Sequence, residues 1–278
     1  MNRFSLLKSD FVRFLKSDKQ MLLLLALIYL YMYVIDPIRE YANYFAEPIG
    51  IAEGFVTMFG NGFSIVIITI SFLMLIIDFP DMGANATFVL HRTGRKRWLE
   101  NQCVFVFLAT LYFMTVLLLF SVISTADISF VLNAWSNAVT KINSDTYTQL
   151  RSQYPLGVLD LSVLNNFRPY TAALLGYILM FLQLTFFGQL QICLSVRYNR
   201  IIAMCVNIIL LVIGLYLWNS DNPAKWIFTI ANANCGWHYD HIYNITKFPI
   251  EGSVIYLLAL NIIIFLLTNL FVNKKSFL

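Results

Sequence analysis

Apolar residues run along this chain in blocks too long for strands and too continuous for the one-sided stripe of a helix in water. Six blocks stand out: Met21 to Ile35, Asn61 to Ile77, Cys103 to Ser124, Tyr170 to Cys193, Ile201 to Trp218, and Val254 to Val272. None contains Lys, Arg, Asp, Glu or His. At 1.5 Å per residue, about 20 such residues cross a hydrocarbon layer about 30 Å thick. The pattern predicts an all-α polytopic membrane protein with six transmembrane helices. The first block is the shortest, covering about 22 Å, unless Lys19 snorkels or the helix continues toward Tyr41.

Before the first block the pattern changes. Phe4, Leu7, Phe11, Phe14 and Leu15 recur at helical spacing, with Lys8, Asp10, Arg13 and Lys16 mostly off that stripe. This predicts an amphipathic interfacial helix over residues 1–20, set against a plain extension of the first span. Between the third and fourth blocks, Asp127 to Ile142 predicts a short surface helix. Asn222 to Tyr243 carries apolar pieces too short to span, which enter a lipid leaflet only if their backbone groups are satisfied inside protein.

Composition agrees with lipid as the solvent: of 278 residues, 59% are hydrophobic and 12% charged. The longest stretch between blocks, Thr125 to Arg168, is too short for a soluble domain of on the order of 100 residues, so 1–278 reads as one membrane domain. Most of the 19 Lys and Arg fall in residues 1–20, 78–102, 194–200 and 273–278. Basic residues favour the cytoplasmic side, which places both termini there and makes 125–168 and 219–251 extracytoplasmic. The first block is followed by Asp36-Pro37 and a tyrosine-rich run rather than a small-residue cleavage pattern, so it is expected to be retained. The four cysteines show neither disulfide nor metal-ligand spacing.

The cytoplasmic loop 78–102 holds the densest charge. In FVLHRTGRKRWLENQ, Arg92, Arg95, Lys96 and Arg97 surround Gly94 and close on Trp98. Pro80 breaks the second span, Asp81 opens a short helix ending at Arg92, and Thr93-Gly94 turns the chain. Three readings compete: a topology signal with Trp98 as an interfacial anchor, a site for anionic membrane lipid, and a docking element for a cytoplasmic protein.

A six-span chain with an amphipathic start and this loop between spans two and three resembles the permease subunit of an ABC transporter of the type-2 exporter class. The resemblance implies a bacterial cell-membrane protein, an exporter of an amphipathic peptide or lipid-like compound. It also implies a second permease copy or homologue and cytoplasmic ABC ATPase subunits as partners. Asp81 to Arg92 would be the coupling helix, with Phe88, Val89 and Leu90 as its apolar contacts to the ATPase, and Arg92, Arg95 and Arg97 would make polar contacts to the ATPase or to lipid phosphates. The chain has no G-x-x-x-x-G-K-[ST] phosphate loop, so ATP and Mg would be bound by that partner, with no cofactor in this chain. The chain would then be no enzyme.

Other constellations carry less. Within the blocks, Gln183, Gln191 and Asn207 are weak candidates for a substrate path, weighed against ordinary hydrogen bonding between helices. The segment HYDH places His238, Asp240 and His241 near Cys235, but its helicity and fourth ligand are unspecified, so a polar loop is favoured over a metal. No intramembrane carboxylate pair or Ser-His pairing points to membrane-embedded catalysis. The alternative from a different class is a non-transporting scaffold or sensor that binds lipid or a signalling partner through its basic loop. No feature points to nucleic acid.

Overall fold

The computed structural model describes residues 3–80, 92–143, 145–153, 155–218, 220, 222–240 and 245–274. Among the described residues, five helical segments are long and apolar enough to cross a membrane: Gln20–Phe45, Arg95–Thr125, Pro169–Arg197, Arg200–Trp218 and Ile250–Val272. A shorter apolar helix, Gly62–Ile76, lies among them. Their outward faces are apolar, with Met21, Leu24, Leu25, Ile28, Ile262 and Leu266 all exposed. Such continuous apolar surface suits lipid rather than water, which gives the chain the character of a membrane protein.

The relative strength of the first two spans is reversed from the expectation. Helix α1 (Arg3–Leu15) is followed by α2 (Gln20–Leu30), a π-helical stretch Tyr31–Ile35 and α3 (Asp36–Phe45). Together α2, the π stretch and α3 form one rod of 26 residues. Pro37 lacks an N–H and crowds the preceding turn, and the widened π turn just before it lets the helix continue. The second apolar helix is the short one. Helix α4 (Glu53–Met58) and α5 (Gly62–Ile76, 15 residues) are separated at Phe59 to Asn61, where the Asn61 side chain accepts from the Phe63 N–H at 2.8 Å and caps α5.

Helix α6 (Arg95–Thr125) follows, then a set of short elements: α7 (Asn137–Ile142), α8 (Thr148–Gln153) and α9 (Leu161–Asn166). The remaining elements are α10 (Pro169–Arg197), α11 (Arg200–Trp218), α12 (Thr229–Ala233) and α13 (Ile250–Lys274). Helix α10 is the central rod, packed on α4, α5, α6, α11 and α13. The strands β1 (Ile49–Gly50) and β2 (Ser129–Phe130) form a two-residue parallel pair that ties the loop after α3 to the loop after α6. The surface helix expected over Asp127 to Ile142 is confined to α7. Upstream of it the chain is occupied by β2 and turns, and Ser136 caps the helix by accepting from the Val139 N–H at 3.2 Å.

Helix α1 packs against α6 through Phe14, whose ring lies 5.7 Å from both Phe105 and Tyr112. Leu6 and Phe14 are buried, whereas Leu15 of the expected stripe is exposed. Asp10 is turned inward, accepting from Gln102 Nε2 at 3.2 Å. The inward face of α1 is thus rotated slightly from the stripe that hydrophobicity alone suggests.

Candidate functional site

Helix α1, the ends of α5 and α10 and the starts of α2, α6 and α11 gather at one end of the bundle. Asp78, just past α5, is the hub. Its carboxylate lies 2.5 Å from Lys19 Nζ at the start of α2 and 3.7 Å from Arg200 at the start of α11. Beside it, the Arg13 guanidinium of α1 sits 5.2 Å over the ring of Phe79. Phe79 in turn lies 4.2 Å from Phe105 of α6. One aspartate and one phenylalanine, adjacent in sequence, therefore join the segment leaving α5 to four other helices.

The described part of the basic loop, from Arg92 onward, leads into α6. Gly94 has φ of 78°, a left-handed value that suits glycine and sharply turns the chain into α6, as the Thr93-Gly94 reading expects. Arg92, Arg95, Lys96 and Arg97 are exposed, and Trp98 and Leu99 are buried. Trp98 is thus a core residue at 2% exposure rather than an interfacial anchor, because the first turn of α6 points its indole into the bundle. The first turn of α6 has no acidic residue and no side-chain cap. Its cations oppose the helix dipole, so propensity alone does not explain their presence there. Asp81, Phe88, Val89 and Leu90 of the expected coupling segment lie outside the described residues.

The three candidates for a substrate path are fully buried and lie at helix contacts. Gln183 of α10 donates through Nε2 to Thr69 Oγ1 of α5 at 3.3 Å. Asn207 of α11 donates through Nδ2 to Gln191 Oε1 of α10 at 2.8 Å, and Gln191 Nε2 donates to the Arg200 carbonyl at 3.3 Å. The carbonyl oxygens Gln183 Oε1 and Asn207 Oδ1 are buried without a hydrogen-bond partner among the described residues. These amides bind α10 to its neighbours and keep unused acceptor capacity.

The opposite end of the bundle is built from the loops, and there polar groups are buried together. Asn232 of α12 donates to the carbonyls of Trp226 and Phe228 at 2.8 and 3.0 Å and accepts from Ser253 Oγ of α13 at 2.7 Å. Ser162 Oγ donates to the Gly236 carbonyl at 2.7 Å, and the Gly236 N–H donates to Asn234 Oδ1 at 2.7 Å. The Phe228, Tyr239 and Asp240 N–H groups here donate to protein carbonyls, the kind of partner that any such piece near lipid needs. His238 is fully buried, with Nδ1 2.9 Å from the Phe248 carbonyl and its ring 5.1 Å from Trp226. Burial pushes the His238 imidazole below its ordinary range. The Cys235 thiol is pushed up to about 12 by burial. His241 lies outside the described residues, and among those described no three His, Cys, Asp or Glu side chains converge as a metal site would need.

Glu53 has almost no signal in the sequence. It lies at the start of α4, fully buried, with Oε1 accepting from the Ser136 N–H at 2.5 Å and Oε2 accepting from Ser136 Oγ at 2.8 Å. The single hint is an acid in an otherwise apolar stretch, IGIAEGF, between two blocks. Asp78 is legible as an inner-side acid, but its two partners, distant in sequence, are not. Neither a family model, nor a curated protein, nor a solved structure matches this chain.

Proposed function

We propose that the chain is the permease subunit of an ATP-driven exporter of the type-2 ABC class. The five long apolar helices and α5 act as six spans, and the basic end with both termini faces the cytoplasm. The observation that best supports this is the convergence on Asp78. A segment of the kind that would dock on an ATPase leaves α5 directly after a carboxylate paired with α2 and α11. A push on the segment following Pro80 is thereby delivered to three spans at once.

In this reading, ATP closes the partner ATPases, and the segment 81–92 moves with them. The drive is the unequal binding of ATP to the two arrangements of the complex. Gln183, Gln191 and Asn207 are groups that a shift of α10 against α5 and α11 would uncover to an amphipathic peptide or lipid-like cargo. The lack of charged residues within the six apolar blocks favours such a cargo over a small ion. The exposed cations Arg92, Lys96 and Arg97 favour a second reading, a scaffold that holds anionic lipid at the same end.

The test is affinity purification of the tagged protein in mild detergent, with mass spectrometry of chains recovered in stoichiometric yield. Recovery of a soluble protein carrying a phosphate loop, lost when Phe88, Val89 and Leu90 are replaced by Asp, is the expected result. Recovery of this chain alone, under conditions that keep a control transporter intact, overturns the permease reading in favour of the lipid scaffold.

A further inference from the structure

Glu53 is the one fully buried carboxylate among the described residues. It joins two elements far apart in sequence: α4, which leads into the short helix α5, and α7, whose capping residue Ser136 donates one hydrogen bond to each carboxyl oxygen. Gly50 makes room for it, since a Cβ at that position would lie 2.9 Å from Glu53 Oε1. Among the described residues, the nearby charges are engaged elsewhere, Lys141 of α7 with Glu47 at 2.6 Å and Arg39 with Asp127 at 2.6 Å.

The other elements packed on α4 are β1, the π stretch, residues 155–157, α6 and α10. Their uncharged titratable groups are Tyr31 and Tyr33 on the π stretch, Cys103 and Tyr112 on α6 and, on α10, Cys193, Tyr170 and Tyr177, the last with its ring 6.4 Å from Phe55. The charged residues of α6 and α10, Arg95, Lys96, Arg97, Glu100 and Arg197, belong to the opposite end of the bundle. None of these groups contributes to the shift of Glu53. Burial raises its carboxyl above the ordinary range, opposed only by hydrogen bonds from Ser136 and the Gly50 backbone.

A charge buried without a cation is costly, whereas a neutral carboxyl with both oxygens hydrogen-bonded is not. With a proton on Oε2, the carboxyl donates to Ser136 Oγ while Oε1 keeps the Ser136 N–H. Without it, the contact must either hold an uncompensated charge or separate. We infer that Glu53 is a proton-binding site that latches α7 onto α4 at the mouth of the second span, and that proton loss releases the latch. This inference stands on the contact itself and does not depend on the permease reading.

The folded state holds this proton at higher pH than the unfolded chain, so the latch is fully stabilising below the ordinary carboxyl value of 4.5. It weakens as pH rises through the raised value. The experiment is hydrogen exchange of the α7 amides in the full-length protein in lipid nanodiscs, from about pH 5 to about pH 9, corrected for intrinsic exchange. Between the ordinary and the raised value, protection should fall by up to about tenfold per pH unit, and above the raised value it should level off. Glu53→Gln should remove that dependence while keeping protection. Infrared titration gives a second readout, a carboxyl C=O band persisting above the ordinary carboxyl range and absent in Glu53→Gln. The same exchange profile in the parent protein and Glu53→Gln, or no band lost in that variant, overturns the inference.

Discussion

The two ends of this bundle handle polarity in opposite ways. At the basic end, charged groups are partly exposed: the Asp78 side chain keeps 42% of its accessible surface and Lys19 30%. At the loop end, Glu53, Asn232 and His238 have none. Water screens the first set and leaves it free to exchange partners, whereas the second set must be satisfied by protein or not at all. The ion pairs of the basic end can thus exchange partners, whereas the loop end holds one arrangement until a proton changes it.

The sharpest way to break this contrast is at Asn232. Asn232→Ala leaves the Trp226 and Phe228 carbonyls and Ser253 Oγ without their partner, and the expected loss is about 3 kcal/mol in reversible unfolding of the protein in detergent. A loss as small as that of an exposed ion pair would show that the loop end is wetter than its burial suggests.

A smaller effect comes from pH at the same end. The folded state keeps His238 neutral below the ordinary imidazole value of 6.5, so the unfolded chain binds the additional proton first. Stability therefore falls as pH drops below about 6.5 and levels off below the folded value. This slope is opposite to that of Glu53. Thermal unfolding as a function of pH should lose the acid-side decline in His238→Gln, and a decline of the same size in that variant would assign it to another group.

Within the spans, Asn207→Leu removes one bond to Gln191 and should cost about 1 kcal/mol, the scale of hydrogen bonds between membrane helices. Double-mutant coupling with Gln191→Leu checks that the two residues act as a pair. The smallest effect on stability is expected at the hub: Asp78→Asn breaks both of its ion pairs yet should shift unfolding by less than about 1 kcal/mol. In the permease reading the same substitution should still lower transport per ATP hydrolysed in reconstituted vesicles. A large loss of stability with unchanged transport would make Asp78 a structural residue alone.

Legibility from sequence differs between fold and site. The six apolar blocks show as helices because a backbone in lipid must satisfy its own hydrogen bonds, which leaves a long apolar run little choice. Their lengths are less legible. The block from Met21 reads as short because Asp36 and Arg39 end the uncharged run, yet the π turn carries the helix through Pro37 to Phe45. The block from Asn61 reads as adequate, yet Gly60 and Asn61 separate it from α4 and leave α5 at 15 residues. The basic turn at Gly94 is readable from local sequence, because a glycine between cations carries its own conformational preference.

Long-range partners have no such signature. Nothing near Trp98 in sequence says that it faces inward while Arg97 faces out, and nothing near Glu53 points to Ser136. By itself, then, the sequence determined the solvent of this protein, the number and order of its apolar helices, and the end where cations collect. Each of these follows from local hydrophobicity and from charges that avoid hydrocarbon. Only the tertiary structure decided which acids became a hub and a buried latch, because burial and pairing depend on which distant helices meet. A carboxylate acquires its role from the donors and the water around it, and these are set by packing.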